Sequence, residues 1–92
     1  MSDADASDAV RCWLVERTYS DRDVVTLVYA TPDGERHLTK ELAASMLRRT
    51  SVTAALDADP DRLRPVSDPD ERERYAREAA RVRETNAPDD QL

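Results

Sequence analysis

The sequence predicts a small α+β domain: a three- to four-stranded antiparallel meander, one helix packed on it, and a charged C-terminal helix. Three observations predict it: β-rich segments in succession, a hairpin turn, and a strongly signalled helix near the C-terminus. A chain of 92 residues has room for one domain. We expect that domain over residues 10–85, with disordered acidic tails at 1–9 and 86–92.

Two long segments have the residue types of strands. In residues 10–19 apolar side chains alternate between two faces, so that Cys12 points one way and Trp13 the other. Residues 24–30 are almost entirely β-branched, aromatic or leucine. The polar residues 20–23 between them are typical of a turn.

A hairpin turn follows at residues 32–34, where the chain's single glycine can adopt a positive φ. Residues 35–38 then predict a short third strand. Thr39 can cap a helix that runs to about Arg49, since Leu38, Leu42 and Met46 recur at intervals of four. We expect this helix to pack on one face of the sheet.

The rest of the chain carries one ambiguous segment and one clear helix. Residues 51–58 suit either a strand or a helix, and we favour a fourth strand. Residues 59–67 are a loop, held by Leu63 and Val66. A helix is predicted over 69–85, because Asp68 can cap it and the residues that follow suit its positive end.

The balance of charges is unusual. The net charge is −6, with thirteen Asp and thirteen Arg but a single lysine, Lys40. An Asp-rich chain almost without lysine resembles the small acidic proteins of extreme halophiles, whose carboxylates hold water and ions in molar salt. A GC-rich genome would also favour Asp and Arg. On the first interpretation the charge is an adaptation to solvent and says little about partners.

The number of cysteines and the hydropathy of the chain bear on its cellular compartment and on bound cofactors. One cysteine allows no disulfide within the chain, and one Cys with one His cannot form a zinc site. No apolar run is long enough for a membrane span or a signal peptide. We therefore expect a cytoplasmic protein without a cofactor.

Two constellations could carry chemistry, and each has a plainer interpretation. Cys12 and His37 could meet across the sheet as a nucleophile pair, but Cys12 lies in an apolar row and is expected to be a packed core thiol. Asp57, Asp59 and Asp61 echo the start of a calcium loop. The loop's glycine and its final glutamate are missing, which favours a solvated acidic loop. We expect no enzyme activity.

Nucleic-acid binding is the alternative function. Residues 39–56 could form a helix-turn-helix in which Lys40, Arg48 and Arg49 face phosphates and bases. The acidic net charge and the missing glycine in the turn argue against it. A face of the first strand could also stack bases through Trp13 between arginines, although a second core explains the same residues.

The two long strands are apolar on both faces, and this observation decides our preferred interpretation. Such a sheet needs cover on both sides, from its own chain or from a partner. We therefore expect a non-catalytic interaction or assembly module, most simply a homodimer. The expected contact surface consists of Trp13, Val15, Leu27, Tyr29, Tyr75 and Val82.

Overall fold

A five-stranded antiparallel sheet and one α-helix form the fold in the computed structural model. The structure describes residues 8–20 and 22–92, and only the backbone of Arg48. The strands are β1 (Val10–Tyr19), β2 (Val24–Ala30), β3 (Arg36–Ala43), β4 (Ala55–Ala58) and β5 (Arg64–Pro65). Two 3₁₀ helices are present, η1 (Ala44–Arg48) and η2 (Pro60–Arg62), and the α-helix is α1 (Pro69–Thr85). The strand order is β4-β1-β2-β3-β5. The α+β class is confirmed, with five strands rather than three to four.

The meander β1-β2-β3 and its hairpin turn agree with the sequence. The bounds of β1 and β2 are those expected, and Gly34 has φ 73° in the turn between β2 and β3. Thr31 Oγ1 donates to the carboxylate of Asp33, which also accepts from the N–H of Glu35 at 2.9 Å. These bonds close the turn and bring β3 back along β2.

The predicted helix over residues 39–49 is wrong. β3 continues to Ala43, and η1 occupies only residues 44–48. Each residue of β2 has a partner on β3, from Ala30 opposite His37 to Val24 opposite Ala43. The spacing of four between Leu38 and Leu42 fits a strand as well as a helix, and the full length of β2 offers hydrogen bonds that decide between them.

A β-bulge in β1 changes which face its later residues occupy. Leu14 lies opposite Tyr29 and Glu16 opposite Val28, which leaves Val15 as the extra residue. From Glu16 onward, the alternation is therefore shifted by one position. Arg17 lies opposite Leu27 instead of sharing the face of Trp13.

The sheet has a core on each face, both formed by this chain. The helix-side core lies between the sheet and α1 and contains Trp13, Val15, Val28, Ala30, Ala54, Ala55, Val66, Tyr75, Ala79 and Val82. The far-side core contains Cys12, Leu14, Val25, Leu27, Tyr29, Leu38, Val52, Ala58 and Leu63, with residues of η1 packed at its margin. Leu63 and Val66 hold the 59–67 loop, as expected. The segment from 44 to 63 thus covers the face that α1 does not.

The helix α1 begins and ends where the sequence predicts. Asp68 caps it by accepting from the N–H of Asp70 at 3.0 Å, and Pro69 occupies its first turn. Arg74 joins it to the sheet through an ion pair with Glu16 at 2.9 Å. Both partners are partly exposed, so this pair orients the helix more than it stabilises it.

The fourth strand is confirmed over part of its expected range, and the C-terminal segment requires a correction. β4 covers residues 55–58, while the expected strand began at 51. Residues 86–92 were expected to be a disordered tail, whereas their main chain bonds to residues 52–55, including Ala54 N to Asp90 O at 2.8 Å. The expected N-terminal tail, 1–9, lies outside the described residues except for its last two.

Candidate interaction surface

The six residues expected to form a contact surface lie inside the chain. Trp13, Val15, Tyr75 and Val82 belong to the helix-side core, and Leu27 and Tyr29 to the far-side core. None exposes more than 9% of its surface. The set is therefore divided between opposite faces of the sheet, and each half is covered by its own chain. A contact surface has to be formed by other residues.

Cys12 and His37, which were considered as a nucleophile pair, lie on opposite faces of the sheet. Cys12 is completely buried in the far-side core, and burial raises the pKa of its thiol. His37 lies on the other face, where its ring centroid is 6.3 Å from that of Tyr75. The Nδ1 atom of His37 is buried and has no hydrogen-bond partner among the described residues. This arrangement agrees with the interpretation of Cys12 as a packed core thiol.

The acidic loop uses its carboxylates locally. Asp57 forms an exposed ion pair with Arg11 at 2.6 Å, and Asp59 caps η2 by accepting from the N–H of Asp61 at 2.9 Å. Within residues 8–20 and 22–92, no group of three acidic, His or Cys side chains is placed to hold a metal ion. Asp57, Asp59 and Asp61 are all exposed.

The helix-turn-helix hypothesis is wrong for residues 39–56. This segment consists of the end of β3, the short η1, an irregular stretch and part of β4, so it has no recognition helix. Lys40 lies on β3 and Arg49 directly after η1, and both are exposed. The structure describes the backbone of Arg48 only. The basic residues of this region nevertheless share a surface with others that the sequence did not bring together.

Two rows of side chains on the far side of the sheet each have a buried residue of the far-side core at their centre. Arg17, Leu27 and Lys40 form one row, since Leu27 lies opposite the other two residues on either side. Tyr19 and Leu42 flank Val25 in the next row. Leu27 and Val25 are buried, whereas Tyr19 is 62% exposed. An exposed aromatic side chain therefore lies one row away from the row of Arg17 and Lys40, on the same face of the sheet.

The 3₁₀ helix η1 extends this surface. Met46, on η1, is 43% exposed, and Leu47 lines a cavity of about 170 Å³ together with Arg17 and Leu92. Arg17 Nη1 donates to a main-chain oxygen of Leu92 at 3.3 Å. We call this region the basic–apolar surface: Arg17, Tyr19, Lys40, Met46, Arg49 and Leu92. From the sequence, Lys40 and Arg49 were named as candidate binding residues. Met46 was expected on a helix packed against the sheet, and Arg17 on the face of Trp13.

The basic–apolar surface contrasts with the rest of the molecule in charge. The chain as a whole carries −6, but the ionisable side chains that define this surface are Arg17, Lys40 and Arg49. None of the three forms an ion pair with a described residue, whereas Arg74, Arg77 and Arg81 of α1 all do. The surface is thus a basic region with exposed apolar side chains on an acidic protein, a combination found at protein contacts.

A second cavity, of about 210 Å³, lies between β4 and the C-terminal segment. Its lining includes Arg11, Asp57 and Pro88. Arg11 and Asp57 neutralise each other there. Its lining also includes Asp89, which forms no ion pair with a described residue, but it includes no aromatic side chain. The basic–apolar surface is therefore the stronger candidate.

Comparison with models of known protein families gives a match over nearly the whole chain. Residues 6–92 match the model of a family of unknown function (DUF7967). The chain belongs to this family. The match spans both cores, α1 and the basic–apolar surface, so these features lie within the family's domain. No curated protein and no solved structure matches the chain.

No helix within residues 8–20 and 22–92 is both long enough and apolar enough to cross a bilayer.

Proposed function

We propose that this protein is a non-catalytic interaction module that binds a partner protein through the basic–apolar surface. One observation carries the proposal: the exposed large apolar side chains of the described residues are Tyr19, Met46 and Leu92, and all three belong to this surface. Exposed apolar side chains close to basic groups that form no ion pair with a described residue are typical of contact sites. The residues with chemistry to offer, Cys12 and His37, lie apart on opposite faces.

The partner could be a second copy of the chain or a different protein. The sequence argument for a homodimer was that both faces of the sheet needed cover, and both receive it from the chain itself. A homodimer would therefore have to use the basic–apolar surface instead. We place this module in a salt-adapted cytoplasm. The acidic surface of a partner protein there complements the basic residues of the basic–apolar surface.

A second candidate function is binding of single-stranded nucleic acid. Tyr19 is exposed and shares a face with Arg17 and Lys40, which is the combination that stacks bases and holds phosphates. The acidic net charge weakens this candidate, because it repels the phosphate backbone outside the immediate contact.

Affinity capture from native extract at native salt tests both functions. A double variant, Tyr19→Ser with Arg17→Glu, should lose at least nine-tenths of the captured partner. The matched control is Thr18→Ser with Arg83→Glu, which changes the charge equally and leaves the basic–apolar surface intact. Nuclease treatment of half the extract separates a nucleic-acid partner from a protein, and light scattering reports a dimer. Equal capture by the two variants would contradict the proposed surface.

A further inference from the structure

The sheet has two edges, and the chain covers only one of them well. At β4, the C-terminal segment adds main-chain hydrogen bonds, among them Ala55 N to Pro88 O at 3.0 Å. At β3, the two-residue strand β5 covers Arg36 and His37 and then ends. Residues 38–43 of β3 have no strand neighbour on that side among the described residues.

The hydrogen-bond pattern shows which groups face this open edge. Thr31 N bonds to Arg36 O, and Ala44 N bonds to Asp23 O, so even-numbered residues of β3 turn their main chain toward β2. The odd-numbered residues face outward, as the bond from Val66 N to Glu35 O shows. Thr39 and Glu41 therefore present their N–H and C=O groups to the outside, where no described residue takes them up.

The side chains of this edge disfavour pairing with a second copy. Antiparallel pairing of two β3 edges that uses Thr39, Glu41 and Ala43 is symmetric about Glu41 and places the two Glu41 carboxylates opposite each other. Shifting the register by one pair toward β5 places Lys40 opposite Lys40 instead. Shifting it the other way leaves Thr39 without a partner. Each arrangement either opposes like charges or shortens the pairing.

A different strand can satisfy the same edge without repulsion. Lys40 and Leu42 point to the far side of the sheet, and Thr39 and Glu41 to the helix side. A complementary antiparallel strand has an acidic residue opposite Lys40, an apolar residue opposite Leu42 and a basic residue opposite Glu41. Its acidic side chain would extend the row that contains Arg17 and Lys40, so the edge is continuous with the basic–apolar surface.

We propose that β3 takes up an extended segment of a different protein as a sixth strand, and that a carboxylate of this segment pairs with Lys40. The proposal rests on the proposed function, since it gives the interaction module its mode of binding. Main-chain bonds to Thr39 and Glu41 hold the segment, and the charges at Lys40 and Glu41 select its sequence and register.

The test uses a capped peptide of sequence Thr-Val-Lys-Asp-Thr-Val, in which Lys opposes Glu41 and Asp opposes Lys40. The full chain is labelled with ¹⁵N, and amide shifts are followed to millimolar peptide. We expect the largest changes at Thr39, Glu41 and Ala43, with binding at least tenfold weaker for a peptide in which Lys and Asp are exchanged. Lys40→Glu should weaken binding of the first peptide, and Arg83→Glu, with the same change in charge, should not.

One protein variant and one modified peptide test whether main-chain hydrogen bonds hold the segment. Glu41→Pro removes an outward N–H and leaves the β2–β3 ladder intact, so it should abolish binding without unfolding the sheet. N-methylation of the peptide amides that face β3 makes the same test on the unaltered protein. Shifts confined to other residues, or equal binding of the two peptides, would overturn the proposal. Capture of a native partner that survives Glu41→Pro but not the Arg17 and Tyr19 variant would retain the proposed function and reject the strand addition.

Discussion

Gly34 is the residue at which the hairpin and the helix meet. Its φ of 73° favours glycine, but a stronger constraint is space, since an added Cβ would collide with the carbonyl of Arg72 and lie 2.8 Å from Ala76 N. We expect Gly34→Ala to destabilise the protein by about 2–4 kcal/mol, because the turn must move off α1. Urea unfolding followed by circular dichroism measures this.

Asparagine at position 34 separates the two causes. Asn tolerates a positive φ, so Gly34→Asn should recover most of the stability if the backbone conformation alone were responsible. The close approach of Arg72 predicts instead that Gly34→Asn is as unstable as Gly34→Ala. Recovery with Asn would show that the turn does not rest on the helix backbone.

Asp33, in the same turn, links stability to pH. The hydrogen bond from Thr31 and then that from Glu35 N–H lower the pKa of its carboxyl below the ordinary value. A carboxylate with a lowered folded-state pKa contributes stability above the unfolded-state value, near 4, and loses it as the pH falls through the folded-state value. Asp33→Asn should cost about 1 kcal/mol at most at pH 7, since solvent screens this site, and should flatten the dependence below about pH 4. Unchanged acid dependence in the variant would contradict this role.

Among the elements, those with local signals could be predicted and those decided by pairing could not. The β-branched run in β2, the glycine of the turn and the Asp68 cap of α1 each act within a few residues, and the structure has these elements at their expected places. β3 differs, because residues 39–43 carry a spacing that suits two structures. Its partner β2 decides between them, and a single sequence does not show how far that pairing extends.

The candidate site was only partly predictable for a related reason. Lys40 and Arg49 stand out in the sequence as basic residues in an acidic chain. Arg17 does not join them there, because simple alternation along β1 gives it the face of Trp13. The bulge at Val15 transfers Arg17 and Tyr19 to the far side, next to Lys40. Alternation without the bulge would have directed Arg17 toward the helix-side core, and this conflict is the signal that could have revealed it.

At the scale of the whole molecule, we expect charge to determine the salt concentration at which the chain folds. The chain carries −6, and its described ion pairs join exposed or partly exposed partners, so they offset little of the repulsion. Molar salt reduces the range of that repulsion to about 3 Å. The thin cores on each face of the sheet have little reserve against it at low salt.

We therefore expect loss of structure below roughly 0.5 M KCl, and a thermal midpoint that rises by several degrees between about 0.5 M and 2 M KCl. Asp61 and Glu84 are exposed and form no ion pair with a described residue, so Asp61→Asn with Glu84→Gln should reduce this dependence. Arg83→Gln removes a positive charge from the same helix as Glu84 and should make the thermal midpoint depend more steeply on KCl concentration. If all three proteins showed the same dependence on KCl, the effect would come from salt acting on apolar burial rather than on charge. The acidic composition would then reflect codon usage rather than adaptation to salt.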